Sequence, residues 1–188
     1  MAESFTNKIV RAAGIVSTTD AGAAIGAGAS AITSIQTADL NVGDLVVNQH
    51  FRAGAKIYSI TNATSLLVDR TSTNTAAATG QIVKFLGVTT AYTSPAATKS
   101  ILIGGTFSNL TQNDINVYVE VVDQSASVSG AAGISSVQLA SDIPIPNGSS
   151  FVISEAGKTI LEAFDQVTVY CDTADAVDVN LAILSGVS

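Results

Sequence analysis

Charge is what this sequence has least of. Asp, Glu, Lys and Arg together make up 12% of the 188 residues, about half the usual share. A chain so poor in charge either presents a surface of Ser, Thr and Asn or covers part of its exterior with other subunits, and the second option implies a homo-oligomer or assembly with partners. Tryptophan is absent and aromatic residues are 5% of the chain. The single cysteine, Cys171, excludes an internal disulfide and makes a reducing compartment acceptable. Long apolar runs are missing too. The longest charge-free stretch, Ala21 to Ala38, contains Ser30, Thr33, Ser34, Gln36 and three glycines, so it fails as a bilayer span of about 20 apolar residues. Glu3, Asn7 and Lys8 stand where an export signal would need a basic start and an apolar stretch.

The net charge of −7 is uneven along the chain. Residues 1–99 carry five acids against seven bases, a balance of +2, whereas residues 100–188 carry ten acids against Lys158 alone, a balance of −9. An acidic half cannot grip phosphates, and the seven bases of the first half are scattered, which argues against nucleic acid as a partner. Opposite signs on the two halves would instead help neighbouring copies dock in one orientation.

Strand signals dominate and helical periodicity is nearly absent. In the first half, candidate strands are Ile9 to Val16, Ala31 to Ile35, Asp44 to Asn48, Lys56 to Ile60, Ser65 to Asp69 and Gln81 to Leu86, with turns at Gly43 and Gly54. Their spacing reads as a meander or small barrel. Later, "NVYVEVVD" sets Val117, Val119 and Val121 against Tyr118, Glu120 and Val122, and "AVDVNLAIL" sets Val177, Val179, Leu181 and Ile183 against Asp178 and Asn180. These patterns predict half-buried antiparallel strands. "GKTILEAF" reads as one helical turn or an irregular strand. The expected fold is all-β: an N-terminal β module over residues 1–90, a linker over 91–99, and a C-terminal antiparallel β-sandwich, jelly-roll-like, over 100–188.

Candidate chemistry is sparse. "AGAAIGAGASAI" places Gly26, Gly28 and Ala31 in the spacing of a dinucleotide fingerprint, but that motif needs a helix after the glycines inside a βαβ unit. The following "SAITSIQTADLNVGD" promises neither, so a strand connection is the expectation and no cofactor is implied. His50, the only histidine, lies in "NQHFRAG" beside Arg52 and reads as a solvent-facing turn residue. Cys171 ends the strand "VTVYC" and reads as an apolar packer. The best metal candidates, Asp172 and Asp175 in "CDTADAVD", are weak calcium ligands; a solvated hairpin turn is the default, with Asp178 pointing off a strand. Three Asn-x-Ser/Thr triplets begin at Asn62, Asn109 and Asn147. "PIPNGSS" reads as a tight connection in which Asn147-Gly148 supplies positive φ. No catalytic constellation is present, and an enzyme is not expected.

The order "SILIGGTFSNLTQNDINVYVEVVD", "IPIPNGSSFVI", "GKTILEAFDQVTVYCDTADAVDVNLAILSG" resembles small β-sandwich virion proteins of tailed bacteriophages, notably those of marine and cyanobacterial hosts. The shared pattern falls here on Asn109, Pro146 to Ser149, Leu161 to Asp165, and Leu184. Two departures stand out: bulky Phe164 where a small residue is usual, and an extra proline within Ile143 to Pro146. "LNVGDLVVNQHFRAGAKIYSITNATSLLVDRTSTNTA" is similar to β modules of phage structural proteins. The resemblance implies a virion component assembled in the host cytoplasm, with the major capsid protein or other virion proteins as partners. Capsid decoration or cement is the expected role, with a neck, connector or tail accessory protein, or a glycan-binding adhesin, as alternatives.

Overall fold

A computed structural model describes residues 3–124, 135–154 and 158–187. Among these residues every regular element is a strand, and no helix is long and apolar enough to cross a membrane. The strands divide between two compact units. One contains Met1–Gly14 with Thr89–Ser188, and the other contains Ile15–Val88.

The first unit is a jelly roll. Its strands are β1 (Ser4–Ala13), β8 (Thr89–Thr93), β9 (Lys99–Asn109), β10 (Ile115–Asp123), β11 (Ser135–Ile145), β12 (Ser150–Ile153), β13 (Thr159–Leu161), β14 (Gln166–Cys171) and β15 (Val177–Val187). One sheet runs β1-β15-β9-β12, with β13 continuing along β9, and the other runs β11-β10-β14-β8. Counting β12 and β13 as one interrupted strand, the pairing is nested: first with last, second with second-last, third with β12 and β13, and β10 with β11. This long hairpin then rolls up as β15 pairs with β9 and β10 pairs with β14. Alternation explains the core. Val177, Val179, Leu181 and Ile183 turn inward from one sheet to meet Val117, Val119, Val167 and Val169 from the other, all essentially buried.

The second unit is a small barrel made of β2 (Ile15–Ile25), β3 (Ala31–Thr33), β4 (Leu45–Val47), β5 (Ile57–Asn62), β6 (Ser65–Val68) and β7 (Ala78–Gly87). The sheet order is β4-β7-β2-β3-β6-β5. Its two edges meet: Leu45 bridges Lys56, Val46 N–H donates to the Ala55 carbonyl at 2.8 Å, and Ile57 N–H donates to the Asp44 carbonyl at 3.0 Å. Closure removes the open edges. Ile25, Ile32, Ile57, Leu66, Val83 and Phe85 fill the interior.

Five expectations are corrected. The segment read as one strand, Ile9 to Val16, breaks at Gly14, whose φ is +121°. The strand before the break pairs with β15 in the jelly roll, and the strand after it pairs with β7 in the barrel. The N-terminal module is therefore Ile15–Val88, inserted between the first two strands of the jelly roll rather than preceding it. The expected linker at 91–99 is replaced by the end of β8, which pairs with β14, and the start of β9. Charge follows these boundaries: the jelly-roll unit holds eleven acids and four bases, −7, and the barrel four of each, 0. The +2 and −9 halves therefore do not correspond to physical bodies, and docking by opposite signs loses its basis. Finally, β10 is buried on both faces, because Tyr118, Glu120 and Val122 are as inaccessible as the valines opposite. Polar partners permit this: Glu120 accepts from the Ser136 hydroxyl at 3.0 Å and the Tyr170 hydroxyl at 3.3 Å, and Tyr118 donates to Asp142 at 2.7 Å.

Asp44 is the barrel's buried acid, 2% exposed. It accepts from Asn41 N–H at 3.0 Å and the Ser17 hydroxyl at 2.9 Å. Burial outweighs both bonds and pushes its carboxyl above the ordinary carboxylate value. A carboxyl raised in the folded state favours folding most below its unfolded pKa of about 4, and loses that advantage as pH climbs through the folded value. Asp44→Asn retains an acceptor oxygen without the charge. Urea unfolding at pH 4 and pH 7 is expected to show the variant gaining on wild type as pH rises; a difference that stays constant or reverses contradicts this account.

Candidate functional site

The glycine-rich stretch is a β-hairpin. Its strands pair Ala24 with Thr33 and Ile25 with Ile32, and residues 26–30 turn between them with Gly28 at φ +59°. A phosphate loop needs free N–H groups aimed at the ligand. Here Gly28 N–H donates to the Asn74 carbonyl at 3.2 Å and Ala29 N–H to the Gly26 carbonyl at 3.2 Å. The hollow beside the hairpin, about 300 Å³, is lined by methyl-sized groups such as Ala24, Ala29, Ala31 and Ala77. Nothing charged lines it.

His50 lies in a neutral polar cluster that its own sequence neighbourhood does not announce. Its Nε2 is 3.1 Å from Gln81 Oε1, and the Gln49 amide donates to the same oxygen at 3.2 Å. Asn48 fixes the loop by accepting from His50 N–H at 2.8 Å and donating to the Ile82 carbonyl at 2.8 Å. Together Asn48, Gln49, Gly80, Gln81 and Ile82 line an open hollow of about 330 Å³. The cluster can offer amide and imidazole hydrogen bonds to a neutral polar ligand. Among the described residues, the imidazole's hydrogen-bond partners are the Gln49 and Gln81 amides, neither of them a nucleophile or a carboxylate.

The Asp172 carboxylate serves a backbone group, and Asp175 is held through its own backbone N–H. Asp172 Oδ1 accepts from Asn116 N–H at 2.9 Å, and Asp175, at φ +53°, donates its N–H to the Gly14 carbonyl at 3.0 Å. Asp178 accepts from Ala12 N–H at 3.0 Å. Among the described residues no three His, Cys, Asp or Glu side chains gather to hold a metal ion. The turn is also not a hairpin, since β14 and β15 belong to opposite sheets. Cys171 is fully buried in the jelly-roll core.

Two of the Asn-x-Thr triplets make the same local structure. Asn62 Oδ1 accepts from Thr64 N–H and hydroxyl at 2.8 and 3.1 Å, and Asn109 Oδ1 does so from Thr111 at 2.7 and 2.9 Å. These are side-chain turns that replace a backbone hydrogen bond. In "PIPNGSS" only Gly148 has positive φ, at +71°, so Asn147 does not share that role.

The Leu161 to Asp165 segment is a strand end followed by a tight turn, and Gly157 of "GKTILEAF" lies outside the described residues. Leu161 is in the core, and buried Asp165 accepts from Glu162 N–H at 2.9 Å and from Gln124 N–H at 2.9 Å. The turn places Phe164 at φ +71° with its side chain 56% exposed. Only glycine adopts this backbone geometry without strain. Phe164→Gly removes about 1–2 kcal/mol of strain and adds about 0.5–1 kcal/mol of unfolded-state entropy. The expected net gain is about 0.5–1 kcal/mol, seen as a higher melting temperature; a lower one would refute the strain.

Sequence reading missed Gln81, which meets His50 from 31 residues away without any local signal. It also missed the exposed apolar residues Phe5, Ile9, Val152 and Ile160 of the jelly roll. For the first two a signal exists in "SFTNKIV", where Phe5, Asn7 and Ile9 alternate with Thr6 and Lys8. No protein-family model, curated protein or solved structure matches the chain.

Proposed function

We propose that this chain is a non-enzymatic structural component of a tailed-phage virion, acting as a capsid decoration or cement protein. The observation that carries the reading is the nested, rolled topology of the jelly roll, an architecture common among viral capsid domains. Fold alone does not assign function. Two further features support it: polar side chains such as Asn109 and Asp165 are spent on bracing loops, and large apolar side chains are left on an outer sheet face. The resemblance of the Asn109, Pro146 to Ser149 and Leu161 to Asp165 pattern to phage virion proteins points the same way.

Mechanically, a protein that binds only the assembled shell stabilises it by mass action, without any reaction. The test is to add purified protein to particles of the encoding phage that lack it. Saturable binding at every capsomer, with a raised particle melting temperature, is expected. Labelling at a single vertex would replace cement with a neck or tail role, and failure to join particles would overturn the virion reading. A second reading, a glycan-binding adhesin, is favoured by the amide cluster around His50 and Gln81. Saturable binding to host envelope sugars on a glycan array, lost in Gln81→Ala, would support it.

A further inference from the structure

The turn between β11 and β12 carries the chain's single Asn-Gly dipeptide, Asn147-Gly148. Both residues are exposed, and Gly148 stands at φ +71° with nothing within 4 Å of the position a Cβ would take. Ser149 N–H closes the turn by donating to the Pro146 carbonyl at 3.1 Å, and Asn147 N–H donates to Asp114 Oδ1 at 3.3 Å. Among the described residues, neither the Asn147 side-chain amide nor the Gly148 N–H makes a hydrogen bond.

Other asparagines are held in place. Asn109 is buried with its amide fully engaged, and the N–H that follows it, on Leu110, donates to the Ala176 carbonyl at 2.9 Å. The side-chain amides of Asn48, Asn62 and Asn74 are likewise engaged with backbone groups. Each of these four is followed by a residue whose side chain restricts the backbone and crowds an approach to its nitrogen. Asn147 escapes all of these restraints.

We infer that Asn147 is a site of spontaneous covalent modification: deamidation through a cyclic imide, with water as the only co-reactant. The Gly148 nitrogen gives up its proton and attacks Asn147 Cγ. A bond forms between them, the bond from Cγ to the side-chain nitrogen breaks, and that nitrogen leaves as ammonia with the proton from Gly148. Water then opens the imide. Cleavage of its Cγ–N bond leaves aspartate in an ordinary chain, whereas cleavage of its backbone C–N bond leaves isoaspartate, whose main chain runs through Cβ and Cγ. Nothing is oxidised or reduced. Either product sets a new carboxylate near Asp114, in a unit that already carries −7. Isoaspartate also adds a carbon to the main chain of a turn whose Ser149 carbonyl accepts from Asn109 N–H at 3.1 Å. The junction of β9 with β12 is thereby loosened. The inference stands apart from the virion reading and is measured on the purified chain.

Peptide mass spectrometry of the folded full chain, held at about pH 8, should find Asn147 converted about tenfold faster than Asn48, Asn62, Asn74 or Asn109. In water enriched in heavy oxygen the product should carry one solvent oxygen, the mark of imide opening. Lowering the pH from about 8 to about 7 should slow conversion roughly tenfold, because the attacking nitrogen must lose its proton. Gly148→Ala should slow it by about tenfold, through the backbone freedom lost rather than a clash. Asn147→Gln, which would have to close a larger ring, repeats the test if Gly148→Ala lowers the melting temperature, and should leave the turn unmodified. The isoaspartate fraction, separated by anion exchange, should melt below unmodified chain. The free peptide "PIPNGSS" should convert within about 30-fold of the folded chain's rate. A folded chain lagging the peptide by more than that, another of these asparagines converting ahead of Asn147, or a rate indifferent to both substitutions would each overturn the inference.

Discussion

Gly14→Ala is expected to destabilise the jelly roll by about 4 kcal/mol, lowering its thermal transition by roughly 15 °C. Two costs add. Gly14 has φ +121°, which an L side chain rarely adopts, and a Cβ built there would lie 2.5 Å from the Thr173 carbonyl oxygen and 3.0 Å from Cys171 Cβ. The first contact is with backbone and cannot be relieved by a rotamer change. Movement of the 172–176 turn would break the bonds from Asp175 N–H to the Gly14 carbonyl and from Ala176 N–H to the Ala13 carbonyl, both 3.0 Å. These bonds hold the end of β1 where the chain leaves the jelly roll. Gly28→Ala separates the two costs, since Gly28 has φ +59° but nothing within 4 Å of its Cβ position. It should lose only about 1 kcal/mol, from the barrel. Equal losses in the two variants would show that the packing at Gly14 contributes little.

Gly14 also marks the limit of what could be read from sequence. Alternation made the strands legible: the inward set Val177, Val179, Leu181 and Ile183 is buried as the pattern implies. Turn chemistry was legible as well, with Gly43 and Gly54 at φ +98° and +77°. Strand partners were not, because a period of two records which face is buried and not which distant strand supplies the hydrogen bonds. β1 pairs with β15 across some 170 residues, Ser4 with Ser185 among them, and no local feature of "SFTNKIVRAA" encodes that. In "AAGIV" a strand-breaking glycine and a strand-interior glycine look alike. β8 was hidden for another reason: Ala91 and Tyr92 are adjacent and both buried, so "TTAYT" does not alternate. At the candidate site, the His50 loop was recognised as a turn, but its partner Gln81 arrives only through the pairing of β4 with β7.

Asn109→Asp should be the most pH-sensitive change in the jelly roll. The Asn109 side chain is almost fully buried and uses all its capacity: Nδ2 donates to the carbonyls of Asn113 at 2.7 Å and Ile145 at 2.9 Å, and Oδ1 accepts twice from Thr111. It thereby ties the end of β9 to the following loop and to the end of β11. Aspartate has the same shape and keeps the bonds from Thr111, but its ionised second oxygen would face two carbonyl oxygens. At pH 7 the variant should lose about 3–5 kcal/mol, the scale of a buried charge left without a partner. Protonation restores one donor, so the folded-state pKa of the new carboxyl must lie above its unfolded value of about 4. The penalty is then smallest below that pH and grows as pH rises through the folded pKa. Melting curves of variant and wild type at pH 4 and 7 measure this directly. A penalty that does not shrink at low pH would mean that Nδ2 contributes shape rather than hydrogen bonds. Asn109→Ala provides the reference for losing every bond at once, and its penalty should not track pH.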